Sequence, residues 1–272
     1  MKRNKSAFLS VPYIIFMVVF TLIPLGVVAY YALTDPSTGE FTMDNLLNLS
    51  MYLPVLGESV LYSLISAGIC LLLGYPVAYY IAHRSQVTQK ILYMLIMLPM
   101  CMSFLLRTLA WVGLLQDTGI INNFLDWIGI GRLQLIRTPG AVVLGMVYNY
   151  LPYMILPLYS VIVKIDNRLI EAAEDLGCTP VQTFIKVVLP LSVPGILSGI
   201  TMVFVPAVST FYISQKLGGT DTVLIGDLIE RLFKQADNPN LGAALSLVLM
   251  ALVFVCTGIM NRFGGDEEGV VV

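Results

Sequence analysis

The stretch EAAEDLGCTPVQTFIKVVLP, Glu171 to Pro190, decides how this chain is read. It is polar and helical in spacing, and it lies between two runs apolar enough to cross a bilayer. Asp166 or Asn167 serves as N-cap for the helix that enters it. Leu169, Ala172, Ala173 and Leu176 recur at helical spacing and predict one apolar face. Glu171, Glu174 and Asp175 are polar, and acids in the early turns suit the positive end of a helix. Gly177 falls where a left-handed C-terminal cap is needed. Thr179-Pro180-Val181-Gln182 then reads as a new start, with Thr179 as cap, Pro180 at the first helical position and Gln182 completing a capping box. Val181, Phe184, Ile185 and Val188 predict a second apolar face, and Pro190 and Pro194 limit its extension. The expectation is helix, sharp glycine turn, helix. Such a hairpin lies on the bilayer surface, binds DNA as a helix-turn-helix, or is a knob offered to a cytoplasmic partner. The flanking spans and the shortage of basic residues set the DNA reading aside.

Outward from that stretch the chain is apolar throughout. Of its 272 residues 57% are hydrophobic and 12% charged, against about 25% charged in a soluble domain, and mean hydropathy is +0.84. The deficit runs along the whole length, as in a polytopic membrane protein. A net charge of −2 leaves no nucleic-acid footprint. Cys70, Cys101, Cys178 and Cys256 are scattered, without metal-ligand spacing, so neither a metal nor a cofactor is expected. Six runs reach the length of a span: roughly 11–33, 59–82, 91–115, 140–164, 193–215 and 241–263. The first is too long for a signal-peptide core and is read as a retained span. Pro24, Pro76, Pro99, Pro152, Pro157 and Pro206 sit inside these runs and predict kinks. The fold class is therefore all-α, a polytopic membrane bundle of six transmembrane helices. Its parts are a cytoplasmic N-terminus (1–10), a first transmembrane helix (11–33), a five-helix core (59–263) carrying the hairpin (166–190), and a cytoplasmic tail (264–272).

Orientation follows the lysine and arginine bias of the loops. With the N-terminus inside, the inner segments hold Lys2, Arg3, Lys5, Arg84, Lys90, Lys164, Arg168, Lys186 and Arg262, while the first outer loop, 34–58, holds no basic residue. Both termini and the hairpin are therefore expected on the cytoplasmic side of the cell membrane.

Glu171-Ala172-Ala173, then Gly177, then Val187-x-Leu189-Pro190 resembles the EAA signature of ABC-importer permeases, with valine in place of the usual isoleucine. The six spans, with the motif between the fourth and fifth, agree with it, and the resemblance covers nearly the whole chain. It implies the type I ABC importer permease fold. It also implies that Glu171, Ala172, Ala173, Gly177, Leu189 and Pro190 belong to a coupling helix seated in a cleft of a separate ATPase. The implied partners are a second homologous permease, two copies of the ATPase subunit, an extracytoplasmic binding protein and the lipid bilayer. The chain carries no G-x-x-x-x-G-K-[ST] phosphate loop, so ATP hydrolysis is expected of the partner rather than of this non-catalytic subunit.

A narrower resemblance lies in Val203-Phe-Val-Pro-Ala-Val-Ser-Thr-Phe-Tyr-Ile-Ser214 followed by Leu217-Gly218-Gly219, with Leu224-Ile-Gly-Asp227 and Gly242-Ala-Ala-Leu-Ser246 continuing it. These runs are similar to spermidine/putrescine importer permeases, in particular the first of the two permease subunits, and imply a polyamine substrate and a polyamine-binding protein. A polyamine path wants acids, aromatic faces and carbonyls. No carboxylate lies clearly inside a span, so charge recognition is expected at the outer mouth or on the binding protein. Trp111, Tyr148, Asn149, Tyr150, Phe211 and Tyr212 are the candidate path residues. Arg107 is the one charged residue well inside a run. It lies about 16 residues from the inner end of 91–115, roughly 24 Å at helical rise, and is expected to snorkel to the outer headgroups in a structural role. His83 is expected to anchor the inner end of span two. Gly195 and Gly199 form a GxxxG that suits close packing against a helix of this chain or of the partner. Residues 221–235 predict an amphipathic outer helix. Import of another solute by the same kind of permease (thiamine, iron or an oxyanion) is the alternative within the family. A secondary transporter is the alternative outside it, and the coupling carboxylates that one needs at mid-membrane are missing.

Overall fold

The structure, a computed structural model, describes residues 12–35, 39–219, 222–234 and 238–264. The expected N-terminal segment 1–10 and the tail 264–272, save Gly264, lie outside the described residues. Regular structure among the described residues is helical, apart from one isolated bridge between Thr34 and Phe41. In chain order the helices are α1 (Pro12–Ala32), α2 (Leu53–Ala82), α3 (Gln86–Met97), α4 (Phe104–Leu115), α5 (Ile120–Trp127), α6 (Pro139–Ile162), α7 (Asn167–Asp175), α8 (Pro180–Leu191), α9 (Val193–Val208), α10 (Tyr212–Leu217), α11 (Ile225–Lys234) and α12 (Pro239–Gly264). Short helical turns, Asp44–Leu47 and Asn48–Tyr52, lead into α2.

Five helical stretches are long and apolar enough to cross a membrane, and the bent pair α8 and α9 makes a sixth. The all-α membrane bundle expected from the sequence is the fold found. Two of the six spans depart from expectation. The run 91–115 is not one helix: α3 ends at Met97, a 3-10 turn covers Leu98–Cys101, and α4 starts afresh at Phe104. Pro99 sits at the second position of that turn, where its missing N–H is no loss. The spanning stretch there is Phe104–Trp127. The run 193–215 is likewise interrupted, because α9 ends at Val208 and α10 starts at Tyr212.

Two spans contain π turns, and both have the same cause. Val18–Leu22 precedes Ile23-Pro24, and Phe184–Val188 precedes Leu189-Pro190. Proline cannot donate to the carbonyl four residues back and its ring crowds that carbonyl. The residue before each proline donates five residues back instead, Ile23 to Val18 and Leu189 to Phe184, which opens the turn enough for the ring.

The chain divides into two compact units. The first comprises residues up to Pro54 with Leu228–Leu252. In it the last carbonyls of α1, which would be unsatisfied in hydrocarbon, find side-chain donors. Asn45 Nδ2 donates to the carbonyls of Ala32 (3.3 Å) and Thr34 (3.0 Å), and Asn240 Nδ2 donates to the Thr34 carbonyl as well. Ala32 packs on Ala243 and Ala244, small residues that let the helices close up.

The second unit, Val55–Asp227 with the chain from Val253, holds the main core. Its centre is α6, the most buried of the spanning helices, packed along α9. The pairing rests on the two glycines singled out above. A Cβ on Gly199 would stand 2.6 Å from Met154 Sδ, and one on Gly195 3.0 Å from Val161 and 3.1 Å from the Pro157 carbonyl. The GxxxG therefore serves packing within this chain. The expected amphipathic helix is α11, within 221–235, of which 221 and 235 lie outside the described residues.

Candidate functional site

The hairpin forms as its local chemistry dictates. Asp166 caps α7, its carboxylate accepting from Arg168 N at 3.0 Å. At the other end Gly177 adopts φ +85°, Cys178 N donates to the Ala173 carbonyl (3.0 Å) and Gly177 N to the Glu174 carbonyl (2.9 Å). That pair of bonds is the Schellman closure, which needs a left-handed residue at the turn. Thr179 and Gln182 complete the capping box in both directions, at 3.4 and 3.0 Å. The apolar faces divide differently from expectation. Ala173, Thr183 and Val188 turn inward, whereas Leu169, Leu176, Val181 and Ile185 are exposed, Leu176 at 87%. The hairpin thus presents an exposed apolar face with Leu176 at its tip. Of the expected coupling residues, Glu171, Ala172, Gly177 and Pro190 are exposed, Leu189 is half-buried and Ala173 is buried.

The hairpin is keyed into the bundle at its C-terminal half. Phe184, in the π turn, meets Tyr75 and Tyr79 of α2 edge to face, with centroids at 5.5 and 5.8 Å. Ser192 stands at the 63° bend between α8 and α9. Its hydroxyl donates to the Leu189 carbonyl (2.9 Å) and so receives the Tyr75 hydroxyl (2.8 Å). At the N-terminal half a cavity of about 340 Å³ lies between the loop after α2 and the start of α7, with Gln89 tying that loop together through the Ala82 and Arg84 carbonyls and the Tyr159 hydroxyl. His83 lines this cavity, its Nδ1 bonding the Tyr79 carbonyl at 2.9 Å.

A second cavity, of about 350 Å³, is lined by Phe104, Arg107, Asn149, Tyr150, Tyr153, Ser209, Thr210, Phe211 and Tyr212. Both interrupted spans meet at it: the start of α4 supplies Phe104 and Arg107, and the gap between α9 and α10 supplies Ser209, Thr210 and Phe211. Non-helical backbone at membrane depth is tolerated where it is buried in protein or lines a wet cavity, and broken helices supply binding groups in transporters. Rings surround the space, with Phe104 stacked on Tyr150 (6.4 Å) and close to Tyr212 (6.4 Å), and Tyr150 near Tyr153 (6.3 Å). Tyr150 OH donates to the Pro206 carbonyl at 3.3 Å, the carbonyl next to the gap. Asn149 Nδ2 donates to the Gly145 carbonyl, while its Oδ1 has no partner.

Four of the six sequence-derived path candidates, Asn149, Tyr150, Phe211 and Tyr212, thus converge on one cavity. Trp111 and Tyr148 do not; they pack on each other at 5.4 Å and line neither cavity. Phe104, Ser209 and Thr210 were missed, and Pro99 and Pro206 upstream of the two breaks were the available signals. Arg107 corrects its expectation. The count of 16 residues assumed an unbroken helix, but Arg107 sits in the first turn of α4, is 6% exposed and lines this cavity.

The profile of the family described as "Binding-protein-dependent transport system inner membrane component" matches residues 71–264. The chain belongs to this family of transport permeases. The spermidine/putrescine transport system permease protein PotB of Escherichia coli (strain K12) is 39% identical over 213 residues, 77% of this chain and 78% of that protein. PotB of Haemophilus influenzae is 38% identical over 262 residues, 90% of this chain and 92% of that one. Among solved structures, a chain of a bacterial ABC transporter involved in the import of the acidic polysaccharide alginate superposes with a TM-score of 0.77 over 97% of this chain and 96% of its own. At 20% identity that likeness is one of fold. This permease is a multi-pass inner-membrane protein, and the family match takes in both the hairpin and the cavity while leaving out α1.

Proposed function

We propose that this permease is a membrane subunit of an ATP-driven importer for polyamines, with the hairpin 166–190 as the seat of a separate ATPase and the cavity at the helix breaks as part of the solute path. The carrying observation is the exposed, doubly capped hairpin bearing Leu176 and Glu171 outward on a family member whose relatives at 38–39% identity are spermidine/putrescine permeases. Glu171 accepts charge-assisted hydrogen bonds from the ATPase, Leu176 fills an apolar pocket, and the Gly177 turn keeps α7 and α8 at a fixed angle. Displacement of the hairpin is carried by α8 through the Ser192 bend into α9, whose far end borders the cavity. The termini and the hairpin face the cytoplasm. A second permease, two ATPase copies and an extracytoplasmic binding protein complete the assembly.

The aromatic lining supports a path for cations. Tyrosine and phenylalanine faces attract ammonium groups, and Asn149 Oδ1 and the carbonyls at the α9–α10 gap accept their protons. Purified importer in liposomes, loaded with ATP or without it, gives the test. Labelled spermidine and putrescine accumulate only with ATP inside; ATP-dependent uptake of a different solute with no polyamine uptake overturns the substrate.

A further inference from the structure

The cavity at the helix breaks has a charge of the wrong sign for its proposed cargo. Arg107 lines it, is 6% exposed, and its Nε and Nη1 find no acceptor. No ion pair to Arg107 exists among the described residues. A guanidinium does not escape by losing its proton, and a buried charge left unpaired is strongly unfavourable. The cavity adds a second positive source. Its wall includes the first turn of α4, a helix of 12 residues whose N-cap, Ser103, makes no side-chain cap, so free N–H groups stand at this end. No lining residue is an aspartate or glutamate. An orphaned guanidinium and an uncapped helix start, in about 350 Å³ with no carboxylate, together favour an anion.

We propose that this cavity holds a small monovalent anion, chloride in size, between Arg107 and the α4 N-terminus. The inference deepens the polyamine reading and rests on it for its consequence, though not for its binding arm. Without the anion, an ammonium group moving along Tyr150 and Tyr212 meets a like charge in a poorly screened place. With it the cavity is neutral, and the aromatic faces are free to attract the cation. The anion is thus a resident counter-ion, and import depends on it.

Two measurements on the assembled, detergent-purified importer test this. The first is broadening of the 35Cl magnetic resonance line. Wild type shows excess broadening that saturates with chloride; Arg107→Gln removes it, and Arg107→Lys retains it in part. Asn149→Asp, which installs a fixed carboxylate in the same cavity, also removes it. Broadening unchanged in Arg107→Gln and in Asn149→Asp overturns the site, whatever the cargo is. Since Arg107→Gln could weaken folding, each variant's melting temperature is measured alongside, and Asn149→Asp alone decides if Arg107→Gln does not assemble. The second is ATP-driven spermidine uptake with chloride replaced by gluconate. Uptake falls on the order of a hundredfold in wild type, the penalty of a like-charge contact in a poorly screened site, and loses this anion dependence in Asn149→Asp. Uptake equal in the two salts, with Arg107→Gln blocking assembly, means that a neighbouring subunit supplies the counter-charge, and the proposal fails. Chloride broadening without polyamine uptake keeps the site and removes the cargo.

Discussion

The hairpin and the cavity are opposite solutions to the same problem of satisfying polar groups. In the hairpin nearly every demand is met within a few residues: Asp166 on Arg168, Thr179 on Gln182 and back, Gly177 and Cys178 on the carbonyls behind them. Thr183 Oγ1 is its one buried side-chain atom without a partner among the described residues. In the cavity the demands are left open, with Arg107 Nε and Nη1 and Asn149 Oδ1 unmet and two backbone breaks alongside. An exposed segment whose donors and acceptors lie within a few residues of one another can be finished locally. On the proposed function, the cavity is finished only by what passes or stays there. The hairpin's unmet need is apolar, the exposed Leu176, and the cavity's is polar.

Substitutions can separate the two regions. The largest effect is expected where they are mechanically joined. Gly199→Leu drives a side chain into Met154 and destabilises the α6–α9 pair by about 3 kcal/mol. Thermal unfolding of the detergent-purified chain measures it, and a melting temperature unchanged from wild type would dissolve the claim that this pair is the rigid centre. Leu176→Asp comes next. It leaves folding within about 0.5 kcal/mol but weakens ATPase docking by about 2 kcal/mol, roughly 30-fold, read by copurification. Gly177→Leu has open space for its side chain, so its effect is backbone strain alone, about 1–2 kcal/mol, confined to the hairpin. Hydrogen exchange then rises at Leu176–Thr179 and not in α6. Tyr75→Phe removes one hydroxyl from the Ser192 bend and costs about 1 kcal/mol. Its expected signature is lower uptake per ATP hydrolysed with ATPase binding intact; a normal ratio would exclude that bond from coupling.

The sequence is legible where structure is local. Caps, the glycine turn and the capping box follow rules that span four to six residues, and 166–190 forms as those rules require. The split of its apolar faces was not legible, because inward and outward depend on where α2 lies, and α2 is about a hundred residues away in sequence. The cavity was half legible. Asn149, Tyr150, Phe211 and Tyr212 stand out as polar or aromatic residues inside apolar runs, and they do meet. The breaks that bring them together were marked only by Pro99 and Pro206, because hydropathy carries on through Met102-Ser103 and through Ser209–Phe211. Composition reports what a segment dissolves in, not whether its backbone is continuous. Arg107 was misplaced for that reason.

The central claim is that force enters at the hairpin from a separate motor. Its most direct measurement is retention of the ATPase subunit on the affinity-tagged permease, wild type against Leu176→Asp, with unfolding temperature followed in parallel. The account predicts equal unfolding temperatures and an ATPase that is retained on the wild type and washes off the variant, taking ATP-dependent uptake with it. An ATPase held equally by both, with uptake unimpaired, would contradict it.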